Sequence, residues 1–316
     1  MSAAARPPEG GAPSRGEAVA QRQEEGGMAP AAPPETDARR GRPWLLLAPA
    51  LLFLAVFFVY PILGMLGRSL SSTHHDIGLA NYGRLMAEPV WLQIIWITFQ
   101  IALLTTISTL LLGYPLAYLL SALRPRTAGL LMILVIVPYF TSILVRTYAW
   151  MVLLGTDGIV NRLLVSLGVI DAPLSLMYNR FAVLVGMTYV LLPYMVLALY
   201  SVMRGIDSSL LRAAHSLGAS RRSAFVRIFL PLSLPGVAAG GLIVFILSLG
   251  FFITPALMGS DRDAMISMII QQQVETYFDW PFASTLATVL LALTLVAFFV
   301  YERVVGMEHL FRAKQR

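Results

Sequence analysis

Few side chains in this chain could serve as a nucleophile, a base or a metal ligand. The histidines are His74, His75, His215 and His309, there is no cysteine, and the one lysine is Lys314. Thiolate catalysis, disulfides and cysteine-ligated metals are therefore excluded. Lys314 follows no glycine-rich loop, so the chain has no Walker A phosphate cradle and cannot itself be an ATPase. His74-His75-Asp76 suggests a metal, but adjacent residues cannot readily close a site and no further ligands stand at helical spacing, so a solvated loop and no metal are expected. What remains is Arg212-Ala213-Ala214-His215-Ser216-Leu217-Gly218, followed by Ile228-Phe229-Leu230-Pro231. This basic segment between long apolar runs offers docking chemistry and no bond-making group.

Its local structure follows from backbone rules. Asp207 and Ser208 suit an N-cap, 210–217 reads as a short helix, and Gly218 suits the left-handed residue that ends one. Ser220 can cap a second helix over 221–230, which Pro231 is expected to stop. Leu210, Leu211, Ala214 and Leu217 fall on one stripe, with Arg212 and His215 beside it. The first helix should thus offer a knob that is small at its centre. An ordinary basic loop lying on lipid is the other reading.

The elements that position this segment are membrane helices. Apolar residues make up 57% of the chain and charged residues 13%, and the apolar ones are gathered in blocks without amphipathic spacing. A bilayer core needs about 20 apolar residues as helix. Six stretches qualify: 44–66, 92–120, 130–153, 181–203, 234–257 and 282–301. Lipid forces backbone groups to be satisfied within each segment, so the fold class is all-α and polytopic. The division is a disordered tail at 1–42, a transmembrane domain at 43–303 with its loop at 204–232, and a short tail at 304–316. Residues 1–42 are rich in Ala, Pro, Gly and Glu and lack the apolar region of a cleaved signal.

Arginines set the orientation. They precede the first span, follow the second, fill the loop between the fourth and fifth, and follow the sixth, whereas the alternate segments carry more acids. By the positive-inside rule both termini and the Arg212 loop are cytoplasmic. The net charge of +6 thus reports topology and anionic lipid, with no aromatic-basic module for nucleic acid. The histidines all lie outside the spans, which leaves an intramembrane enzyme without a base. The outer segments 82–91, 161–178 and 260–280 suit interfacial helices, either receiving a partner or sealing the outer mouth.

Arg146 is the charged residue inside a span, and the rise of 1.5 Å per residue places it near the outer end. It is either an anchor that snorkels to the interface or part of a gate. Tyr139, Thr141 and Ser142 after Pro138, and Phe251, Phe252 and Thr254 before Pro255, could line a path or simply pack the core. Pro61, Pro115, Pro138, Pro193 and Pro255 are candidate hinges. Gly236 and Gly240 form a small-xxx-small step that allows close helix approach.

The loop pattern resembles the EAA loop of the permease subunits of binding-protein-dependent ABC importers. Ala213, Ala214, Gly218, Ile228, Leu230 and Pro231 match it, and Arg212 stands where the family has Glu. Leu144 to Trp150, Gly158 to Asn161, Leu192-Pro193 and Asp279 to Phe282 look like the spermidine/putrescine branch. The resemblance implies a type I importer permease fold with a cytoplasmic coupling helix, in the bacterial inner membrane. It implies a cytoplasmic ATPase dimer that carries ATP and Mg, a second permease subunit and an extracytoplasmic binding protein, with no cofactor on this chain. Arg212 then calls for an acid on the ATPase or for contact through other residues. No span carries an acid, so a polyamine would find its selectivity on the binding protein or its acids on the second permease. Branches that handle opine-like or amino-acid-like solutes share much of the pattern. An ion-coupled transporter fits less well, for want of intramembrane acids and inverted repeats.

Overall fold

The computed structural model describes residues 43–71 and 78–313, so the expectations for residues 1–42, for His74-His75-Asp76 and for Lys314 lie outside the described residues. The chain forms two compact units, Met1–Val59 and Tyr60–Arg316. In the first, the described residues form α1 (Pro43–Leu54) and a π turn, Ala55–Val59.

The second unit continues with α2 (Tyr60–Ser69), α3 (Ala80–Ala87), α4 (Pro89–Ala122), α5 (Pro125–Ile136), α6 (Ile143–Leu154), α7 (Ile159–Ser166) and α8 (Arg180–Arg204). Then come α9 (Ser208–Ser216), α10 (Arg221–Ala224), α11 (Leu230–Leu249), α12 (Ile253–Met258), α13 (Ile266–Glu275) and α14 (Trp280–Ala313). Among the described residues six helical runs are long and apolar enough to cross a membrane: Leu47–Ser69, Pro89–Ala122, Ile143–Ser166, Arg180–Arg204, Arg221–Leu249 and Trp280–Arg303.

Helix α8 is the spine, packed against both α4 and α11, which also pack against each other. Its Leu191, Met195, Val196, Leu199 and Met203 are buried with Ala117 and Leu120 of α4 and Val244 of α11. Lipid tails are as apolar as these side chains, so close packing and not water exclusion holds such a contact. The glycines supply the closeness. A Cβ on Gly236 would lie 3.0 Å from Val202 Cβ, and one on Gly240 would lie 2.8 Å from Met195 Sδ. The small-xxx-small step of the sequence thus sits where α11 meets α8.

The Asp279-Trp280-Pro281-Phe282 motif starts the last span. The Asp279 carboxylate accepts the Phe282 N–H at 3.1 Å, and Phe282 is fully buried beside Leu85, Trp91 and Ile266. Arg84 lies 4.3 Å above the Phe282 ring and 3.5 Å from Asp279, which ties α3 to this corner. Arg180 at the start of α8 pairs with the buried Asp263 at 3.0 Å and reaches Gln100 of α4 at 3.2 Å. Residues 260–263 are thereby fastened to the spine at the end opposite α9.

Several expectations are corrected. The third span, expected over 130–153, is not one helix: α5 ends at Ile136, a 3-10 turn covers Val137–Phe140, and α6 begins at Ile143. Pro138 has no N–H to donate, and its ring disfavours a helical carbonyl behind it. Pro115 and Pro193 lie inside the continuous helices α4 and α8. The fifth span does not cover 234–257. It runs Arg221–Leu249, breaks at 250–252 and resumes as α12, with Pro255 inside that short helix. Pro231 does not stop the loop's second helix either. A π turn, Phe225–Phe229, widens the backbone just before it, and the helix continues into the membrane. The last helix also runs on to Ala313, past the expected end of the span.

Candidate coupling and translocation sites

The loop around Arg212, the candidate coupling site, is built from local contacts. Asp207 caps α9 by accepting the Ser209 N–H at 2.8 Å, and Ser220 caps α10 by accepting the Ser223 N–H at 3.3 Å. The hydrogen bonds from Ser209, side chain before backbone, hold the Asp207 carboxyl below its ordinary value. Gly218 adopts φ +85, the Ala219 N–H reaches back to the Ala214 carbonyl at 2.9 Å, and His215 Nδ1 lies 3.0 Å from the Ala219 carbonyl. This six-to-one closure is the helix ending that a left-handed glycine permits. Arg204 ends α8 and donates to the carbonyls of Ser121 and Leu123 at 3.3 and 3.2 Å, which clamps the end of α4 to the loop's root.

The expected apolar stripe splits into two faces. Ala214 is buried, and Leu211 packs towards the helical core with Phe225. Leu210 is 46% exposed and Leu217 89%, and Arg212 and Ala213 are also exposed. The small centre therefore faces the chain's own α10, where a methyl group lets the two helices approach. Leu210, Ala213 and Leu217 form the outward knob. Arg212 folds back along α9 to donate to Ser208 Oγ at 2.7 Å. Of the remaining motif residues, Ile228 and Leu230 are partly buried and Pro231 is exposed.

Behind this knob an aromatic group connects the loop to the spans. Tyr118 of α4 stands edge-on to Phe225 and Phe229, with centroids 5.5 and 5.0 Å away, and the two phenylalanines stack at 5.7 Å. Tyr114 of α4 shares a 2.8 Å hydrogen bond with the buried Ser233 of α11. A cleft of about 260 Å³ lined by Tyr118, Leu211, His215, Arg221 and Phe225 separates α9 from this group. A push on α9 thus meets rigid rings that touch two spans together.

The residues expected along a path divide into two groups around the helix breaks. Tyr194 of α8 donates to Tyr139 at 2.9 Å, and their rings are edge-on at 5.6 Å. The Arg146 Nε is buried with no hydrogen-bond partner among the described residues. Thr141 bonds only locally, to the Pro138 carbonyl at 2.6 Å, and Ser142 precedes α6 without capping it through its side chain.

The second group links the other break. Thr254 is buried and meets Thr147 of α6 at 3.3 Å, while the Phe251 carbonyl accepts Ser267 Oγ of α13 at 2.7 Å. Phe252 is partly exposed. Gly186 of α8 makes room for Thr254: a Cβ there would lie 2.5 Å from Thr254 Cγ2.

Helical side chains lean towards their own N-terminus, so Arg146 leans back towards the Ile143 end of α6 and the break. Tyr194, which meets Tyr139 of the break, is fourteen residues from Arg180 and ten from Arg204, or roughly 21 and 15 Å along α8 at ~1.5 Å per residue, which is mid-membrane. The sequence reading missed Tyr194, Thr147 and Gly186. Their only signals were the Leu192-Pro193 pair beside Tyr194 and the polar letters within apolar runs.

With this geometry in place, comparisons with known proteins become specific. Residues 109–305 match the family described as the binding-protein-dependent transport system inner membrane component. The chain is 36% identical over 264 residues to the spermidine/putrescine transport system permease protein PotB of Haemophilus influenzae, covering 82% of this chain and 90% of that protein. It is 37% identical over 258 residues to the protein of the same name in Escherichia coli, covering 79% and 93%. Among solved structures, a chain of a bacterial alginate ABC transporter in complex with an alginate pentasaccharide-bound periplasmic protein superposes with a TM-score of 0.69. The identity is 18%, with 83% of this chain and 94% of that one covered, so this likeness concerns the fold.

Proposed function

We propose, since the chain belongs to the family of binding-protein-dependent transport system inner membrane components, that it is the permease subunit of an ATP-driven importer of spermidine/putrescine-type polyamines. The observation that carries the substrate is the 36% identity to a spermidine/putrescine permease across 82% of the chain. The permease is a multi-pass inner membrane protein with both termini and α9 on the cytoplasmic side, as the arginine distribution suggests. ATP and Mg are held by a separate ATPase dimer, for the chain offers no phosphate cradle of its own. A second permease subunit completes the pore, and an extracytoplasmic binding protein delivers the solute.

The working cycle follows from the contacts. The knob of Leu210, Ala213 and Leu217 seats in the ATPase, and closure of the ATPase dimer displaces α9. Ala214 and Leu211 carry that displacement to the Phe225–Phe229 turn. Tyr118, Tyr114 and Ser233 divide it between α4 and α11, which flank α8. The breaks at Val137–Phe140 and at 250–252 let the flanking segments turn about α8 without bending a continuous helix. Alternating access is the exchange between two such arrangements, biased by nucleotide on the partner.

The test is uptake of labelled putrescine and spermidine in cells lacking this chain, with a complemented strain beside them. Uptake should fall on deletion and return on complementation. Unchanged uptake of both compounds would remove the polyamine assignment.

A further inference from the structure

Arg146 combines three properties that do not occur together in a simple anchor. It stands in the first turn of α6, just past the break where Tyr139 meets mid-membrane Tyr194, its Nε is buried without a partner among the described residues, and none of the hydrogen bonds or ion pairs among those residues involves its side chain. No Asp or Glu stands within α4, α6, α8 or α11. A cation held at that depth is costly unless a counter-charge meets it. Lipid headgroups are too distant, since more than two helical turns of α6 separate Arg146 from Leu154 at its far end. A polyamine is itself a cation and would be repelled.

We infer that Arg146 is an intersubunit contact at mid-membrane, whose guanidinium receives a carboxylate from the second permease subunit. This rests on the permease reading above. The surroundings fit a protein partner: α6 leaves Leu144, Val145, Tyr148 and Val152 uncovered, and Phe140 of the adjoining turn is 80% exposed. The pair places one fixed bond between the two halves of the pore at the break in the third span. The rocking of one half against the other then turns about Arg146. It also removes the charge that a cationic solute would otherwise meet there. Arg146 is accordingly a positioning residue.

The chain's single lysine makes this directly testable. The variant Arg146→Lys with Lys314→Arg carries one side-chain amine, at position 146, which peptide mapping distinguishes from the terminal amine. The assembled importer, in native membranes, is treated with a membrane-permeable carbodiimide, which joins an amine to a carboxylate only in direct contact. The expected result is an adduct between this chain and the second permease, mapped by mass spectrometry to an Asp or Glu within a span. Lys314→Arg alone should give no adduct. In parallel, Arg146→Gln should reduce co-purification of the second permease at least about tenfold, as expected when one partner of a buried pair is removed. Absence of the adduct while the two permeases co-purify would overturn the inference, as would an adduct to another protein or unchanged co-purification of Arg146→Gln. Failure of polyamine uptake in the complemented strain would instead sink the substrate assignment and leave the adduct unaffected.

Discussion

The coupling loop and the broken-span region are both built from short helices and polar side chains, yet they are specified in different ways. In the loop, each defining contact joins residues a few positions apart: Asp207 with Ser209, Ala214 with Ala219, Ser220 with Ser223. In the broken-span region the contacts join Tyr139 with Tyr194 and Thr147 with Thr254 across distant helices. A loop of the first kind keeps its shape when it is pushed and so can transmit force. A region of the second kind changes whenever its helices move, which is what a gate requires.

Gly186→Leu should separate the two most strongly. The new side chain would collide with Thr254 and Met258, whose atoms already stand 2.5 and 2.9 Å from an added Cβ. A destabilisation of about 1–3 kcal/mol is expected, with α12 displaced and uptake lost. Thermal unfolding in detergent and uptake in cells check it. Wild-type values for both would mean that α12 does not depend on its seat against α8.

Leu217→Asp should do the reverse. The side chain is 89% exposed, so the chain should insert and melt as the wild type does. The ATPase should bind more weakly by about 2 kcal/mol, roughly thirtyfold in dissociation constant, if this residue is a central anchor. Titration of the purified ATPase onto the reconstituted permease measures it. A matching loss of melting temperature would show the knob to be part of the core.

Tyr194→Phe removes the 2.9 Å bond to Tyr139 and leaves the ring contact. A change of about 0.5–1.5 kcal/mol is expected, read as a several-fold change in uptake at equal protein level. An unaltered rate would show that this hydroxyl pair does not bias the gate.

The smallest effect concerns the loop's first cap. The Asp207 carboxyl is held below its ordinary value by Ser209, so its ionised form is the one favoured by the fold. Its contribution is present above the usual carboxylate range and is lost as pH falls through the lowered value, below about pH 4. Hydrogen exchange of residues 208–216, corrected for intrinsic rates, should speed up in that window. Asp207→Asn should show no such step, and a step that persisted in it would assign the titration elsewhere.

The same contrast decides what the sequence could reveal. That there are six spans was readable because length and apolarity suffice, although the bounds of the third and fifth were not, and the caps at Asp207, Gly218 and Ser220 were readable because capping depends on neighbours in the chain. The continuation through Pro231 was not, because a π turn follows from packing of Phe225 and Phe229 against Tyr118. Ala214 was placed on the outward knob because a helical stripe alone does not say which neighbour covers it.

The central claim is that the loop drives the broken-span region, and the absence of cysteine provides a clean reporter for it. Ser142→Cys places one thiol at the break, and its labelling rate by a small maleimide can be followed in the reconstituted importer with and without ATP. The account predicts a nucleotide-dependent rate with the native loop and a nucleotide-independent rate when Leu217→Asp is added. A nucleotide response that survives Leu217→Asp, or none in an importer that is transporting, would contradict it.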